Sequence, residues 1–196
     1  MIPLRVSSDG EDAPEVYLLD ARVCGLEPAG LRERARRLSA ESGAPFVSRS
    51  YRYPFALIGW HDRELGIDLE RIGPCDKAFA DLICTPTERA DRAVIDDPDR
   101  SLTSLWCAKE ALAKVLGDAL LYEPARLESP VVWPHQRAGI WRAARLIVPD
   151  SHVAWLCWRS ATSPRSTTAT TSSSPSQPGR QVPVLRDESV LDLARS

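Results

Sequence analysis

The stretch Leu65-Gly66-Ile67-Asp68-Leu69-Glu70 decides the fold of this 196-residue chain, because apolar and acidic residues alternate along it. Alternate side chains of a strand share a face, so we expect Ile67 and Leu69 to face the core and both carboxylates to project together. Two carboxylates on one face repel each other unless positive charge lies between them. Mg²⁺ prefers oxygen ligands and often bridges carboxylates to substrate phosphates. The pattern therefore predicts a strand with a candidate magnesium site at Asp68 and Glu70.

A second segment, from Ser104 to Leu116, offers a third carboxylate. Its apolar residues recur near helical spacing and predict an amphipathic helix: Leu105, Ala108, Leu112 and Val115. Glu110 and Lys114 are four residues apart and share one helix face. A metal ion held by three carboxylates beside lysine is typical of proteins that handle phosphate. The alternatives are a solvated strand end for the first pair of acids and an ordinary surface ion pair for Glu110 and Lys114, worth only tenths of a kcal/mol.

The two segments together resemble the paired signature of the 4′-phosphopantetheinyl transferases. The signature is carried by Gly66-Ile67-Asp68-Leu69-Glu70 and by Trp106-x-x-Lys109-Glu110-Ala111-x-x-Lys114. Between them, Cys84-Thr85-Pro86-Thr87-Glu88-Arg89 resembles the S/T-P-x-E helix start of the family, and Gly117 follows where a glycine is usual. The resemblance is firm from Ala56 to Leu120 and weaker as far as Trp158.

The resemblance implies an enzyme of the holo-[carrier protein] synthase type. Such an enzyme transfers phosphopantetheine from coenzyme A to a serine of an acyl or peptidyl carrier protein, with Mg²⁺. It implies that Asp68, Glu70 and Glu110 hold the metal. It also implies catalytic roles for Glu110 and Lys114 and a coenzyme A contact for Lys109. The implied fold is α+β, with two pseudo-symmetric lobes that each pack a small antiparallel sheet on a long helix.

The upstream strand departs from the family, which usually has Ser-x-Ser-His near the coenzyme A diphosphate. Ser48-Arg49-Ser50-Tyr51 falls in that place, so Tyr51 replaces the histidine. A phenol donates one hydrogen bond but is neutral at pH 7, so a cationic contribution is lost. Arg49 or Arg52 can compensate as a bidentate phosphate ligand. We therefore expect Ser50, Tyr51 and Arg49 to bind coenzyme A.

Other parts of the N-terminal half differ as well. His61 lies too close to Asp68 to be the family histidine and reads as a turn residue. The usual Gly-Lys-Pro corresponds to Gly43-Ala44-Pro45, without the lysine. The four arginines at positions 32, 34, 36 and 37 either hold the nucleotide 3′-phosphate or form a solvated basic helix face. The N-terminal lobe is also short for the larger, single-chain members of the family.

Composition excludes several classes of protein. The formal charge of −2 lacks the excess of positive charge that is typical of proteins that bind nucleic acid. There is no run of about eighteen apolar residues that would span a membrane, and no N-terminal basic region followed by an apolar stretch. The five cysteines are scattered and odd in number, as in reduced cytosolic proteins. We expect a cytoplasmic monomer that binds neither nucleic acid nor membranes.

The pattern along the chain predicts three regions: a shortened N-terminal lobe over 1–65, a C-terminal lobe over 66–159, and a tail over 160–196. Ser160 to Gln181 is rich in Ser, Thr and Pro, and we expect the tail to be disordered. Helices are expected over 28–39 and, with a break near Asp97-Pro98, over 77–116. Besides the strand quoted above, we expect strands over 16–19, 46–50, 55–60, 127–133, 140–148 and 152–158.

Two rival functions stay open at this point. One is a catalytically degenerate relative that binds coenzyme A or a carrier protein without turnover, which the replacement at Tyr51 and the short N-terminal lobe favour. The intact trio of carboxylates argues against it. The other is a different Mg²⁺-dependent phosphate enzyme, but the sequence has neither a GxxxxGK[ST] loop nor a GxGxxG motif.

Overall fold

The computed structural model describes residues 1–4, 6, 13–91, 97–117 and 119–161. The first half contains β1 (Ile2–Leu4), β2 (Glu15–Asp20), α1 (Ala21–Cys24), α2 (Pro28–Glu41), β3 (Phe46–Arg52), β4 (Phe55–His61) and β5 (Leu65–Arg71). The second half contains α3 (Lys77–Ile83), α4 (Pro86–Asp91), α5 (Pro98–Leu116), β6 (Arg137–Ala138), β7 (Trp141–Arg145) and β8 (His152–Arg159). The expected tail, apart from its first two residues, lies outside the described residues.

The N-terminal part is a four-stranded antiparallel sheet in the order β1-β2-β4-β3. Helix α2 covers one face of this sheet. Its buried residues Leu31 and Ala35 pack against Leu19, Ala56 and Ile58. Pro28 stands in the first turn of this helix, where the missing N–H costs no hydrogen bond.

The C-terminal part repeats the plan with a sheet in the order β5-β8-β7-β6, also antiparallel throughout. Helix α5 covers one face of it, and the buried side chains of the helix pack on strands β7 and β8. Asp97 caps the N-terminus of α5 by accepting a hydrogen bond from the Arg100 N–H. Gly117 ends the helix with φ of 85°, a left-handed conformation that glycine adopts without strain.

The main core lies between the two sheets. Val16, Leu18 and Leu57 of the first sheet meet Ile67 and Leu69 of β5, and the last two side chains are fully buried. The expected alternation along β5 is therefore confirmed. The α+β fold with two lobes, each an antiparallel sheet with a long helix, is confirmed as well.

Two local expectations need correction or refinement. The strand expected over 127–133 is wrong: a short 3₁₀ turn, Pro130–Val132, lies within this region, and another, Pro124–Arg126, directly precedes it. Each turn begins with a proline, which lacks the N–H that a sheet would need. The strand expected over 140–148 is shorter, Trp141–Arg145. None of the helices in the described residues has the length and apolar character to cross a membrane.

The two sheets meet at their edge strands, β3 and β5, and two backbone amides of β5 donate to serine side chains of β3. The Ile67 N–H donates to Ser48 Oγ at 3.0 Å, and the Leu69 N–H donates to Ser50 Oγ at 3.1 Å. Both serines are buried. Hydroxyl groups therefore satisfy backbone donors that the β5 edge would otherwise leave unpaired.

Candidate active site

A cleft of about 310 Å³ opens where β3, β5 and α5 converge. It gathers all but one of the site residues expected from sequence, namely Arg49, Ser50, Tyr51, Asp68, Glu70, Glu110 and Lys114. Arg32, Arg52 and Trp106 complete the lining. Residues from both lobes thus meet at the seam between the two sheets.

Asp68 is the most buried carboxylate of the cleft, with 4% of its surface exposed. Its Oδ1 accepts from Ser50 Oγ at 2.9 Å and from Lys114 Nζ at 2.7 Å. Lys114 also donates to the carbonyl of Ile67 at 2.9 Å, which anchors α5 to β5. The other carboxylate oxygen, Oδ2, is buried and has no hydrogen-bond partner among the described residues. An orphaned anionic oxygen of this kind costs free energy unless a ligand meets it.

Glu70 projects into the same cleft and is held by the guanidinium of Arg52. Arg52 Nε donates to Glu70 Oε2 at 2.6 Å, and the Nη2 group donates to Oε1. This is the bidentate fork that makes arginine–carboxylate pairs strong. Burial raises the pKa of Glu70, and Arg52 opposes that shift. The negative charge of Asp68 raises the pKa further, so these carboxylates are close enough to repel each other.

Glu110 is the third carboxylate, on the face of α5 that looks into the cleft. Tyr122, just beyond the helix, donates its phenolic hydrogen to Glu110 Oε1 at 2.5 Å. Burial raises the pKa of Glu110, and the hydrogen bond from Tyr122 lowers it. The pKa of the Tyr122 phenol is raised by burial and by this carboxylate, so it stays protonated and donates. Trp106 stacks on Tyr122 with ring centroids 6.5 Å apart, which orients the phenol.

The donor set fits a hard divalent cation. All three carboxylates offer only oxygen, and Asp68 Oδ2 is a buried oxygen without a partner in the described part of the chain. The charge of Asp68 raises the pKa of both glutamates, as expected for anions that share a small space. Even so, no group of three or more His, Cys, Asp or Glu within the described residues is arranged close enough to hold a metal as it stands. The carboxylates are instead bonded to Lys114, Arg52 and Tyr122.

Lys109 does not reach the cleft, contrary to the expectation that it contacts coenzyme A. Its side chain is fully buried, and Nζ donates to Glu88 Oε2 at 2.7 Å and to the carbonyls of Ile83 and Pro124. An ammonium group has three donor hydrogens, and all three are used. Burial lowers the pKa of Lys109, while Glu88 raises it. We therefore exclude Lys109 from the coenzyme A contacts.

Glu88 explains the segment that resembles S/T-P-x-E. The Thr85 N–H donates to Glu88 Oε2 at 2.8 Å, and the Glu88 N–H donates to Thr85 Oγ1 at 3.3 Å, which is a capping box at the start of α4. Glu88 Oε1 also accepts from the Ser129 N–H at 2.7 Å. This acid therefore joins α4, α5 and the loop after α5, and its role is structural.

The N-terminal lobe supplies the basic side of the cleft. Arg32 is the only one of the four α2 arginines that lines it, and its guanidinium lies over the Tyr51 ring, 5.0 Å from the centroid. Arg36 and Arg37 instead pair with glutamates of their own helix. His61, expected in a turn, is the last residue of β4 and lies outside the cleft lining, 3.3 Å from Asp62.

Sequence reasoning missed Tyr122. It lies beyond the periodic part of α5, and a single tyrosine in a turn carries no pattern that would single it out. The only available signal was its position shortly after the Glu110 helix.

A protein-family model, described as the 4′-phosphopantetheinyl transferase superfamily (ACPS), matches residues 64–167. The match covers more than half of the chain and includes β5, α5 and β8. No curated protein is a significant match to the chain.

Proposed function

The chain belongs to the 4′-phosphopantetheinyl transferase superfamily, and from that premise we propose a specific reaction. The protein transfers the 4′-phosphopantetheine group of coenzyme A to a serine of an acyl or peptidyl carrier protein, in a Mg²⁺-dependent reaction. One observation carries the proposal. Asp68, Glu70, Glu110 and Lys114 line one cleft, and the buried Asp68 Oδ2 has no partner among the described residues.

The three carboxylates would hold Mg²⁺, with Asp68 as the most buried ligand. When bound there, Mg²⁺ would neutralise negative charge on the diphosphate of coenzyme A as the leaving group departs. Asp68 is already oriented by Ser50 and Lys114, so its free oxygen faces a fixed direction. Such preorganisation lowers the cost of charge stabilisation during the reaction.

Glu110 is the proposed general base. The hydroxyl oxygen of the carrier serine forms a bond to the phosphorus next to the pantetheine, and the bond from that phosphorus to the nucleotide's bridging oxygen breaks. The serine proton passes to Glu110, directly or through a water molecule, and adenosine 3′,5′-bisphosphate leaves. Tyr122 holds Glu110 in place through its hydrogen bond to Oε1. Lys114 steadies the transferred phosphate.

The basic side of the cleft is the proposed site for the rest of coenzyme A. Arg32 and Arg49 supply positive charge to its phosphates, and Tyr51 supplies a hydroxyl group. Ser50 also lines the cleft, but its hydroxyl hydrogen is donated to Asp68. Tyr51 stands where a histidine is usual in the family, so these arginines replace the missing imidazolium charge. A cytoplasmic location and a monomeric state remain predictions from sequence.

A second candidate function is a relative that binds coenzyme A or a carrier protein without turnover. Two observations favour it: the phenol of Tyr51, and the engagement of all three carboxylates by donors of the chain itself. We prefer the active enzyme, because a protein that only binds has no need of a buried base such as Glu110.

Mass spectrometry of an apo carrier protein incubated with this chain, coenzyme A and Mg²⁺ tests the proposal. We expect a mass gain of one phosphopantetheinyl group that is lost when the acceptor serine of the carrier is replaced by alanine. Glu110→Gln, which keeps the shape of the side chain but removes its charge, should abolish the gain. Coenzyme A binding without any mass gain, over a panel of acyl and peptidyl carriers, would instead establish the binding function.

A further inference from the structure

Arg52 occupies a position that the family resemblance did not assign. Along β3, every second residue bonds to β5: Ser48 to the Ile67 amide, Ser50 to Asp68 and the Leu69 amide, and Arg52 to Glu70. The pairing of Arg52 with Glu70 thus continues the register between the two edge strands. It is a bond between the two lobes, made by two residues that line the cleft.

The Arg52 bond differs from the other bonds to the carboxylates. Both oxygens of Glu70 accept from the one guanidinium, whereas Asp68 keeps one oxygen without a partner in the described structure. Glu70 is 12% exposed in its side chain, and Arg52 is 48% exposed. The guanidinium therefore has room to move, while the carboxylate is held in the cleft wall. A cation that binds Glu70 on the lone pairs that this fork occupies must first replace it.

We propose that Arg52 is exchanged between two partners: it neutralises Glu70 in the metal-free protein and binds the coenzyme A diphosphate when Mg²⁺ takes its place on Glu70. A planar guanidinium fork matches a carboxylate and a phosphate equally well. The inference rests on the proposed function, because it puts metal and diphosphate in the same cleft. Its consequence is a coupling between the two ligands. Coenzyme A draws Arg52 away from Glu70 and so strengthens the binding of Mg²⁺, and Mg²⁺ strengthens the binding of coenzyme A by the same factor.

Calorimetric titration of the Arg52→Ala variant tests the exchange. Three titrations are needed: Mg²⁺ alone, coenzyme A alone, and coenzyme A in the presence of Mg²⁺. Removing the competitor should tighten the binding of Mg²⁺ alone by about tenfold and weaken the binding of coenzyme A by about tenfold, as expected for a charge-assisted bond. The mutual enhancement of the two ligands should shrink to the part that comes from direct neutralisation of the diphosphate by Mg²⁺. These shifts have opposite signs, whereas mere damage to the fold would weaken both ligands.

Arg49→Ala is the matched control. Arg49 lies on the same strand and lines the same cleft, but its side chain makes no bond to Glu70 among the described contacts. This variant should weaken the binding of coenzyme A and leave the affinity for Mg²⁺ alone unchanged. Arg52→Lys keeps the charge without the fork and serves as a second variant in case Arg52→Ala fails to fold. Its affinities for Mg²⁺ and coenzyme A should lie between those of the wild type and Arg52→Ala.

Weaker or unchanged binding of Mg²⁺ alone in a folded Arg52→Ala protein would overturn the inference. The titrations require no turnover, so they stay informative if the transfer assay fails. Failure of transfer with intact coupling would refute the enzyme and leave the exchange of Arg52 standing.

Discussion

Gly66 offers the sharpest test of how α5 is placed on β5. An added Cβ at this position would lie 2.1 Å from the carbonyl oxygen of Ala111, 2.8 Å from the Val115 nitrogen and 3.0 Å from Lys114 Cβ. Ordinary contacts begin at 3.4 Å. Two of these three atoms belong to the backbone of a helix, so no side chain can turn aside. Gly66→Ala must therefore push α5 away from β5 by about 1 Å.

The displacement has two measurable consequences. Overpacking a core typically costs about 1–3 kcal/mol, and a clash with helix backbone belongs at the upper end of that range. The second consequence concerns catalysis, because α5 carries Glu110 while β5 carries Asp68 and Glu70. A misplacement of about 1 Å can lower a rate by about 100-fold. We expect both losses in Gly66→Ala, measured by urea unfolding and by the rate of carrier modification.

Gly73→Ala is the control, since an added Cβ there meets nothing within 4 Å. It should match the wild type in both assays. A Gly66→Ala protein with the stability and the transfer rate of the wild type would refute the close approach of α5 to β5. A loss of stability without a loss of rate would show that the two faces of the site tolerate the shift, which would contradict the catalytic part of the reasoning.

Three further predictions concern the buried charges. Lys109→Met should lower the free energy of unfolding by about 3–5 kcal/mol because it strands the charge of the buried Glu88. Adding Glu88→Gln, which removes that charge but keeps an oxygen acceptor for the buried N–H groups, should restore part of the loss; equal stability of Lys109→Met and wild type in urea would contradict the buried pair. Tyr122→Phe should lower the transfer rate at saturating substrate by about tenfold, with little change in the KM for coenzyme A, because it frees the Glu110 carboxylate; an unchanged rate would remove Tyr122 from the site. Burial raises the pKa of Glu110, so its contribution to stability is present at acid pH and is lost as pH rises through the folded-state pKa. In the presence of a chelator, Glu110→Gln should therefore gain melting temperature relative to wild type as pH rises from 4 to 7, and a constant difference would show that the carboxyl is not desolvated.

The parts of the fold that follow local periodicity could be predicted from sequence. Alternation along 65–70 placed Ile67 in the core and Asp68 in the cleft, because strand geometry alone fixes which side chains share a face. The four-residue spacing of Glu110 and Lys114 likewise predicted that both side chains share one face of α5, and both line the cleft. The strand expected over 127–133 failed because Pro130 comes directly before Val131 and Val132 and Pro134 follows Trp133, and the missing N–H of proline outweighs the side-chain preference.

Contacts between distant segments could not be predicted in the same way. The direction of Lys109 on α5 differs from that of Glu110, but only the tertiary arrangement of Glu88 and two carbonyls shows that its charge is buried. The pairing of Arg52 with Glu70 depends on the register between two sheets that share no backbone ladder. Tyr122 reaches Glu110 from a turn outside the helical pattern.

The serine contacts between β3 and β5 have a consequence for how the cleft opens. Ser48 and Ser50 hold the amides of Ile67 and Leu69 through rotatable hydroxyl groups, and each sheet keeps its own backbone ladder. A local parting of β3 from β5 at this seam therefore breaks side-chain bonds only, and the backbone ladder of each sheet stays intact. Amide hydrogens of the ladder exchange with solvent only when a sheet opens, whereas these two amides exchange whenever the seam parts. Their exchange rates therefore measure how often this seam opens, which is the motion that would admit a large substrate.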